Sequence, residues 1–317
     1  MADVVFELYG MDDGKINVEK IKAFELTRET DAASDGLRLW FTSDRATDEV
    51  YRVRMSVDGR VIFNGYADAQ RELVGSNGLE GFVYARSSAC ILTDIEAMPD
   101  SFYHPCSQAV YDKYISDYGF SYGLDDLFYA GQYTVGKGCS LFGALDGFVF
   151  GVTGKHIYVN ASNEIRLLES NKTVKLSGDI ISEKRIINRG DLLCGIDYKL
   201  SSDENYVHHR ESELMKKRGV KARIMKNLSA LTPLQRENAL LTAMARANDG
   251  YIGFEIDVCG IFLAELCDKI EYESVAFDTS KQMCLRGISY TFDSKGYHTR
   301  LRLAVINDLE ELSYVDE

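Results

Sequence analysis

Proline is nearly missing from this chain, with three in 317 residues, at positions 99, 105 and 233. That leaves little room for extended linkers, so domains that pack directly on one another are expected. Cysteine forms no CxxC pair, and the seven residues (Cys90, Cys106, Cys139, Cys194, Cys259, Cys267 and Cys284) are an odd count. This argues against a disulfide framework and a zinc site, and it fits folding in a reducing compartment. No window approaches 18 apolar residues, so no membrane insertion is expected. The segment Met1–Glu7 has no basic stretch followed by an apolar one, so no signal peptide is expected. Basic residues are scarce, 36 against 49 acidic, for a net charge of −13, and the one basic run is Lys216-Lys217-Arg218. Phosphate neutralisation needs clustered Lys and Arg, so no specific nucleic-acid binding is expected. The acidic excess reads either as solubility or as a channel wall that repels DNA in transit.

Catalytic motifs are also missing. There is no GxSxG elbow and no HExxH pair. The five histidines are His104, His156, His208, His209 and His298. His208 and His209 are adjacent on an expected helix and point apart, so they do not share a metal. The pairs Asp12-Asp13 and Asp125-Asp126 lie beside glycines or turns and read as solvated loop charges. No catalytic, cofactor-binding or metal-binding residue is assigned, no cofactor is expected, and the chain reads as a non-enzyme.

Short strands dominate what is present. Tyr51, Val53, Met55 and Val57 alternate with Arg52, Arg54 and Ser56, the period of a half-buried strand. Asp58-Gly59 signals a tight hairpin into Arg60–Phe63. Asn77-Gly78 marks another turn, and Asp12–Gly14 and Ser34–Gly36 punctuate the earlier strands. In the middle third, Val110, Tyr111, Tyr114, Ile115 and Tyr118 share one helical face that stops at Gly119. Ser140 caps a second helix carrying Leu141, Phe142, Leu145, Phe148 and Val149. Gly143 and Gly147 each cost that helix about 1 kcal/mol relative to Ala, so packing has to hold it. Strands are expected near 156–160 and 164–168. Further on, Ile187–Leu200 reads as a strand pair and Tyr206–Arg218 as a helix. Thr232-Pro233-Leu234-Gln235 opens another helix with a capping box. Ile252–Val258 and the hairpin around Asp293–Gly296 return to strands, and the acidic end from Asp308 reads as frayed. Direct comparison shows no internal repeat.

Two local patterns carry possible chemistry. Gly131–Gly138 fits GxxxxGK, but Gly138 stands where a phosphate loop needs a Ser or Thr hydroxyl for magnesium, and Tyr133-Thr134-Val135 reads as strand. The expectation is a strand, a glycine turn and a helix start. The run Tyr133–Phe142 is similar to the opening of LysM peptidoglycan-binding modules, with a strand–turn–helix at 132–150. After one helix, however, the chain proceeds to Gly154-Lys155-His156 instead of a second helix. The 19 tyrosines include seven between 103 and 133 (Tyr103, Tyr111, Tyr114, Tyr118, Tyr122, Tyr129 and Tyr133), dense enough to suggest a subunit contact.

The order of elements through 78–168 resembles the baseplate hub of contractile phage tails and phage-tail-like bacteriocins, the late control protein D type. The residues that carry the resemblance are Gly78–Pro99, the helix ending Asp117-Tyr118-Gly119, Gln132–Leu145, His156–Asn160 and Glu164–Leu168. It implies a β-dominated α+β chain with two tail-tube-like β-barrel domains, 1–98 and 171–317, around a mixed α/β domain at 99–170. A helical insertion is expected at about 206–248 in the last domain. It further implies a homotrimer that lines a channel and joins a sixfold tail tube to a threefold spike. The partners would be the tail tube protein, the central spike protein, other baseplate proteins and the tape measure protein. The location would be the baseplate of a virion or tail-like particle assembled in the bacterial cytoplasm. The alternative is a peptidoglycan-binding, LysM-like tail or cell-wall protein.

Overall fold

The computed structural model describes residues 2–75, 78–176, 178–249, 251–274, 276–277, 279–305 and 314–316. Strands hold 48% of the chain and helices 17%, so the β-dominated α+β class expected from the sequence holds.

The first segment contributes β1 (Val4–Tyr9), β2 (Lys15–Ile16), β3 (Lys20–Glu29), β4 (Gly36–Ser43), β5 (Arg52–Val57), β6 (Arg60–Gly75) and β7 (Gly78–Ser87). The alternation in β5 buries Val53, Met55 and Val57 completely. The β5–β6 turn has positive φ at both Asp58 (50°) and Gly59 (77°), as the Asp-Gly pair predicts. Asn77 lies outside the described residues, so the second turn read from the sequence is seen only from Gly78.

The middle segment contributes α1 (Ala89–Asp94), β8 (Asp100–Tyr103), α2 (Ser107–Tyr114), β9 (Ser121–Tyr122), β10 (Gln132–Val135), α3 (Leu141–Thr153), β11 (Ile157–Val159) and β12 (Glu164–Leu167). Ser140 caps α3 by accepting a 3.0 Å bond from the Gly143 N–H. The close approach at Gly147 explains one of the two helix glycines. A Cβ there would lie 3.2 Å from the Tyr133 hydroxyl, which donates to the Ala144 carbonyl at 2.6 Å.

The last segment contributes β13 (Thr173–Lys175), β14 (Ile180–Ile187), β15 (Gly195–Lys199), β16 (His208–Ser212), α4 (Glu213–Lys217), β17 (Arg223–Asn227), α5 (Pro233–Asp249), β18 (Ile252–Cys259), β19 (Lys269–Ser274), β20 (Thr279–Asp293), β21 (Gly296–Val305) and β22 (Tyr314–Asp316). Three expectations are corrected here. Residues 208–212 form a strand and not a helix, because β15 and β22 flank them and supply ladder partners. β14 and β15 do not pair with each other, since β14 joins β18 while β15 joins β16 and β17. The chain end is not wholly frayed, because Tyr314–Asp316 pairs with Arg210–Ser212; residues 308–313 lie outside the described residues. The α5 start behaves as read, with the Gln235 Oε1 reaching back to the Thr232 N–H at 3.1 Å. α5 then docks on the C-terminal end of α3 through Asn238, whose Nδ2 donates to the carbonyls of Gly151 and Val152.

The first and last strand sets share one sheet in the order β14-β18-β21-β20-β3-β4-β7-β6-β5-β1-β2, with β19 alongside the first part of β20 and β13 paired to the other side of β19. The path is open at both ends among the described residues. The two sets also follow one plan. The order β3-β4-β7-β6-β5-β1 in the first is matched by β14-β18-β21-β20-β19-β13 in the last. One departure is that β13 runs parallel to β19 while β1 runs antiparallel to β5. The segment between β14 and β18 stands where the first set has only the short connection from β3 to β4.

β20 belongs to both sets. Its first part pairs with β19, and Gly287–Phe292 pairs antiparallel with β3 from Glu29 to Phe24. One apolar core runs through the joint and includes Phe24, Leu26, Leu39 and Val83 from the first set with Ile256, Ile288, Tyr290 and Leu301 from the last. Full burial of each such side chain stabilises by about 1.5–3 kcal/mol. An ion-pair network crosses the same joint. Arg28 on β3 donates to Asp35 and to Glu265 at 3.1 Å each, and Arg60 also reaches Glu265. Burial pushes the Asp35 carboxyl up, against the pull of Arg28. Burial opposes the charge on Arg28, but Asp35 and Glu265 outweigh it and raise its pKa.

Candidate assembly surfaces

The glycine turn after β10 is occupied from within. Oε1 of Glu96 accepts the Gly138 N–H at 2.7 Å, so a carboxylate already sits at one of the backbone donors a phosphate would need. β10 pairs with β8, and Lys137 is exposed. The turn therefore lacks a phosphate cradle. The LysM-like opening also ends as the sequence indicated, with α3 passing through Gly154 into β11.

The histidines lie apart. His156 Nδ1 is 2.8 Å from Asp146, His208 Nε2 is 2.8 Å from Glu204, and His209 Nδ1 is 2.7 Å from Asp197. His208 and His209 sit on a strand, where neighbours also point to opposite faces. Among the described residues, no group of three or more His, Cys, Asp or Glu side chains is placed to hold a metal.

The tyrosine cluster corrects a further expectation. Tyr111, Tyr114 and Tyr129 are buried, and Tyr122 and Tyr133 pack against the same middle core. Their hydroxyls are used internally: Tyr111 donates to the Phe120 carbonyl, Tyr114 to the Met98 carbonyl, and Tyr129 to the Gln235 Oε1 at 3.0 Å. Burial raises the phenol pKa of Tyr111, Tyr114, Tyr122 and Tyr133. The density of tyrosine in this stretch is mainly core packing. Only Tyr103 and Tyr118 of the seven are exposed, at 75% and 40%.

The remaining candidate surfaces belong to the long sheet. Its face opposite the core carries cross-strand ion pairs: Lys184–Glu255, Arg300–Asp257, Arg302–Glu29, Arg38–Glu25 and Arg86–Asp68. Burial works against the charge on Asp257, but Arg300 and Ser182 hold its carboxyl below the usual range. Each exposed pair contributes little to stability. Their alternation of sign matters more, because this face is not a wall of carboxylates. A groove of about 560 Å³ opens on the sheet beside Trp40, Phe24, Gly81 and Phe292, with the Lys22–Glu80 pair alongside.

The edges of the sheet expose apolar side chains. β14 has β18 on one side and no strand on the other among the described residues, and it leaves Ile180, Ile181 and Ile187 exposed. β6 pairs with β5 only up to Tyr66. Beyond that β7 is its one strand neighbour among the described residues; the Ala67 N–H donates to the Tyr51 carbonyl, the Gln70 and Glu72 side chains accept the Val50 and Thr47 N–H groups, and Leu73 and Val74 are exposed at its end. Neither edge carries reactive groups. Open strand edges with exposed apolar residues are suited to pairing with another chain.

No protein-family model and no curated protein matches the chain. Solved structures do. The tail protein from Neisseria meningitidis superposes with a TM-score of 0.75 at 13% identity, over 97% of each chain. The 43 kDa tail protein of prophage MuSo2 from Shewanella oneidensis gives 0.78 at 13% identity, over 96% of this chain and 98% of that one. An Escherichia coli component of the type VI secretion system, itself structurally similar to bacteriophage T4 tail proteins, gives 0.60 at 10% identity, over 96% and 77%. The chain has the fold of phage tail proteins.

Proposed function

We propose that this chain is the structural hub of a contractile tail or tail-like particle, where it joins the tail tube to the central spike and lines the channel. One observation carries the reading: a single polypeptide holds two strand sets of the same plan, joined edge to edge by β20 and β3. Two such sets per chain let three chains present six similar units to a sixfold tube while keeping threefold symmetry for a spike. Closed rings of like subunits are the common solution for such assemblies. The match to tail proteins over nearly the whole chain supports a tail component.

In this reading the protein is not an enzyme. Its work is docking, holding and release, and its partners are further copies of itself, the tube protein, the spike and neighbouring baseplate proteins. Its place is the baseplate, built in the bacterial cytoplasm. The paired charges on the sheet face opposite the core favour a channel that neither binds nor strongly repels a polyanion, if that face is the wall.

Electron microscopy of particles from a producing strain tests the proposal. Deleting the gene is expected to abolish complete tails, and restoring a tagged copy to put the tag at the baseplate end. Normal tails after deletion, or a tag along the tube or sheath, would overturn it.

A further inference from the structure

The one basic run of the sequence, Lys216-Lys217-Arg218, has no task in the hub reading. It belongs to a wider patch. From Glu213 to Leu228 the chain carries six basic residues (Lys216, Lys217, Arg218, Lys221, Arg223 and Lys226) against one acidic residue, in a protein of net charge −13. Some of these charges are used locally. Lys216 pairs with Glu211 and Glu213, and Arg223 with Asp197 and Glu211. Arg218 lies over the Tyr251 ring. Among the described residues no carboxylate pairs with Lys217, Lys221 or Lys226, and the first two are exposed.

The patch borders an open strand edge. β17 ends the small sheet β17-β15-β16-β22, with β15 on one side and no strand on the other among the described residues. The Ala222 carbonyl accepts the Cys194 N–H, and the Leu228 N–H donates to the Lys199 carbonyl, so the even-numbered residues here bond toward β15. Arg223, Met225 and Asn227 therefore turn their N–H and C=O groups outward. The described residues supply no partner for those groups. Proteins commonly protect such an edge with charges that stand across it. Here Arg223 is folded back over Gly195, where a Cβ would lie 3.0 Å from the guanidinium carbon, to reach Asp197 and Glu211. The middle of the edge is Met225, 71% exposed. Lys217 and Lys221 precede the strand, and Lys226 lies on its other face.

We propose that the β17 edge docks an extended, acidic segment of another protein, which adds to the four-stranded small sheet as a fifth strand. Backbone bonds to Arg223, Met225 and Asn227 attach the segment, an apolar side chain covers Met225, and Asp or Glu side chains meet Lys217, Lys221 and Lys226. A peptide fits better than a nucleic acid. The outward groups are donors and acceptors in a line, whereas phosphates only accept, and β17 has no aromatic ring on which a base could stack. This names a class of partner that the hub reading does not, and it stands independently of that reading.

Selection of peptides about ten residues long from a displayed random library, on the immobilised full chain, tests the proposal. Enriched peptides are expected to be rich in Asp and Glu, with apolar residues at alternate positions. A labelled winner titrated against the full chain should bind more weakly as salt rises, and about tenfold or more weakly to the Lys217→Glu/Lys221→Glu/Lys226→Glu variant. Met225→Pro should also weaken it, since proline is tolerated where a strand N–H faces solvent but removes a bond to the peptide. Should that variant fail to fold, amide exchange of the wild type reads the same bond: the bound peptide should slow exchange at Met225. No enriched peptide, enrichment without acidic residues, or binding that ignores the lysine variant and leaves the Met225 amide unprotected overturns the proposal. So does single-stranded oligothymidylate that binds more tightly than the selected peptide, which would assign the patch to nucleic acid. None of these results bears on tail formation in the deletion strain, so the hub reading is tested separately.

Discussion

Arg28 is the side chain whose loss should reveal most about the joint. It is 6% exposed, and its partner Asp35 is 17% exposed. Arg28→Leu keeps an apolar stem on β3 but leaves the Asp35 carboxylate without its cation, while Glu265 still has Arg60. Removing one member of a buried ion pair costs about 3–5 kcal/mol. The residual exposure of Asp35 puts the expected loss near the lower end, about 3 kcal/mol, a large share of a typical 5–15 kcal/mol stability. The loss should depend on pH. Burial already holds Asp35 above its ordinary value, and removing Arg28 takes away the main opposing pull, so the carboxyl rises further. An acid raised on folding takes up a proton. Its penalty is absent below the unfolded pKa and fully present above the folded one. The gap between wild type and Arg28→Leu should therefore narrow as pH falls from about 7 to about 5. Urea unfolding at both pH values measures it. A loss under about 1 kcal/mol, or a gap that does not change with pH, would refute the account of the network as a buried pair compensated by Arg28.

Three further outcomes follow from particular contacts. A Cβ on Gly81 would lie 2.3 Å from ring atoms of the fully buried Phe41, so Gly81→Ala should cost about 1–3 kcal/mol in chemical unfolding; wild-type stability would show that Phe41 yields freely. Ser140→Ala should lose about 1 kcal/mol with the α3 cap, and an unchanged unfolding midpoint would mean the cap is replaced. Calorimetry with ATP and magnesium should give no saturable heat for the wild type or for Lys137→Ala, because Glu96 holds the Gly138 N–H; heat that vanishes in the variant would restore the phosphate loop.

Features set by neighbouring residues were legible in the sequence. The alternation of β5, the Asp58-Gly59 turn, the Ser140 cap and the Thr232–Gln235 helix start all depend on contacts within a few positions. Features set by distant partners were not. Residues 208–212 contain nothing that forbids a helix, and they extend because β15 and β22 lie beside them. The far half of β6, Ala67–Gly75, is polar and lacks β-branched residues apart from Val74, so only its ladder with β7 makes it a strand. The tyrosines between 103 and 133 carry hydroxyls that suit an interface, and nothing local reveals that backbone carbonyls and Gln235 already use several of them. The repeat escaped direct comparison because the match lies in bulge positions and pairing order; Phe41 and Val258, or Trp40 and Asp257, occupy equivalent places with unlike side chains.

The double membership of β20 has a mechanical consequence. Swinging the first strand set against the last would have to bend or shear one continuous strand, break its ladder with β3 and pull Arg28 from Glu265. Such a chain moves as a stiff plate without a hinge at its waist. Any force that opens an assembly of these chains is then carried to the boundaries between copies.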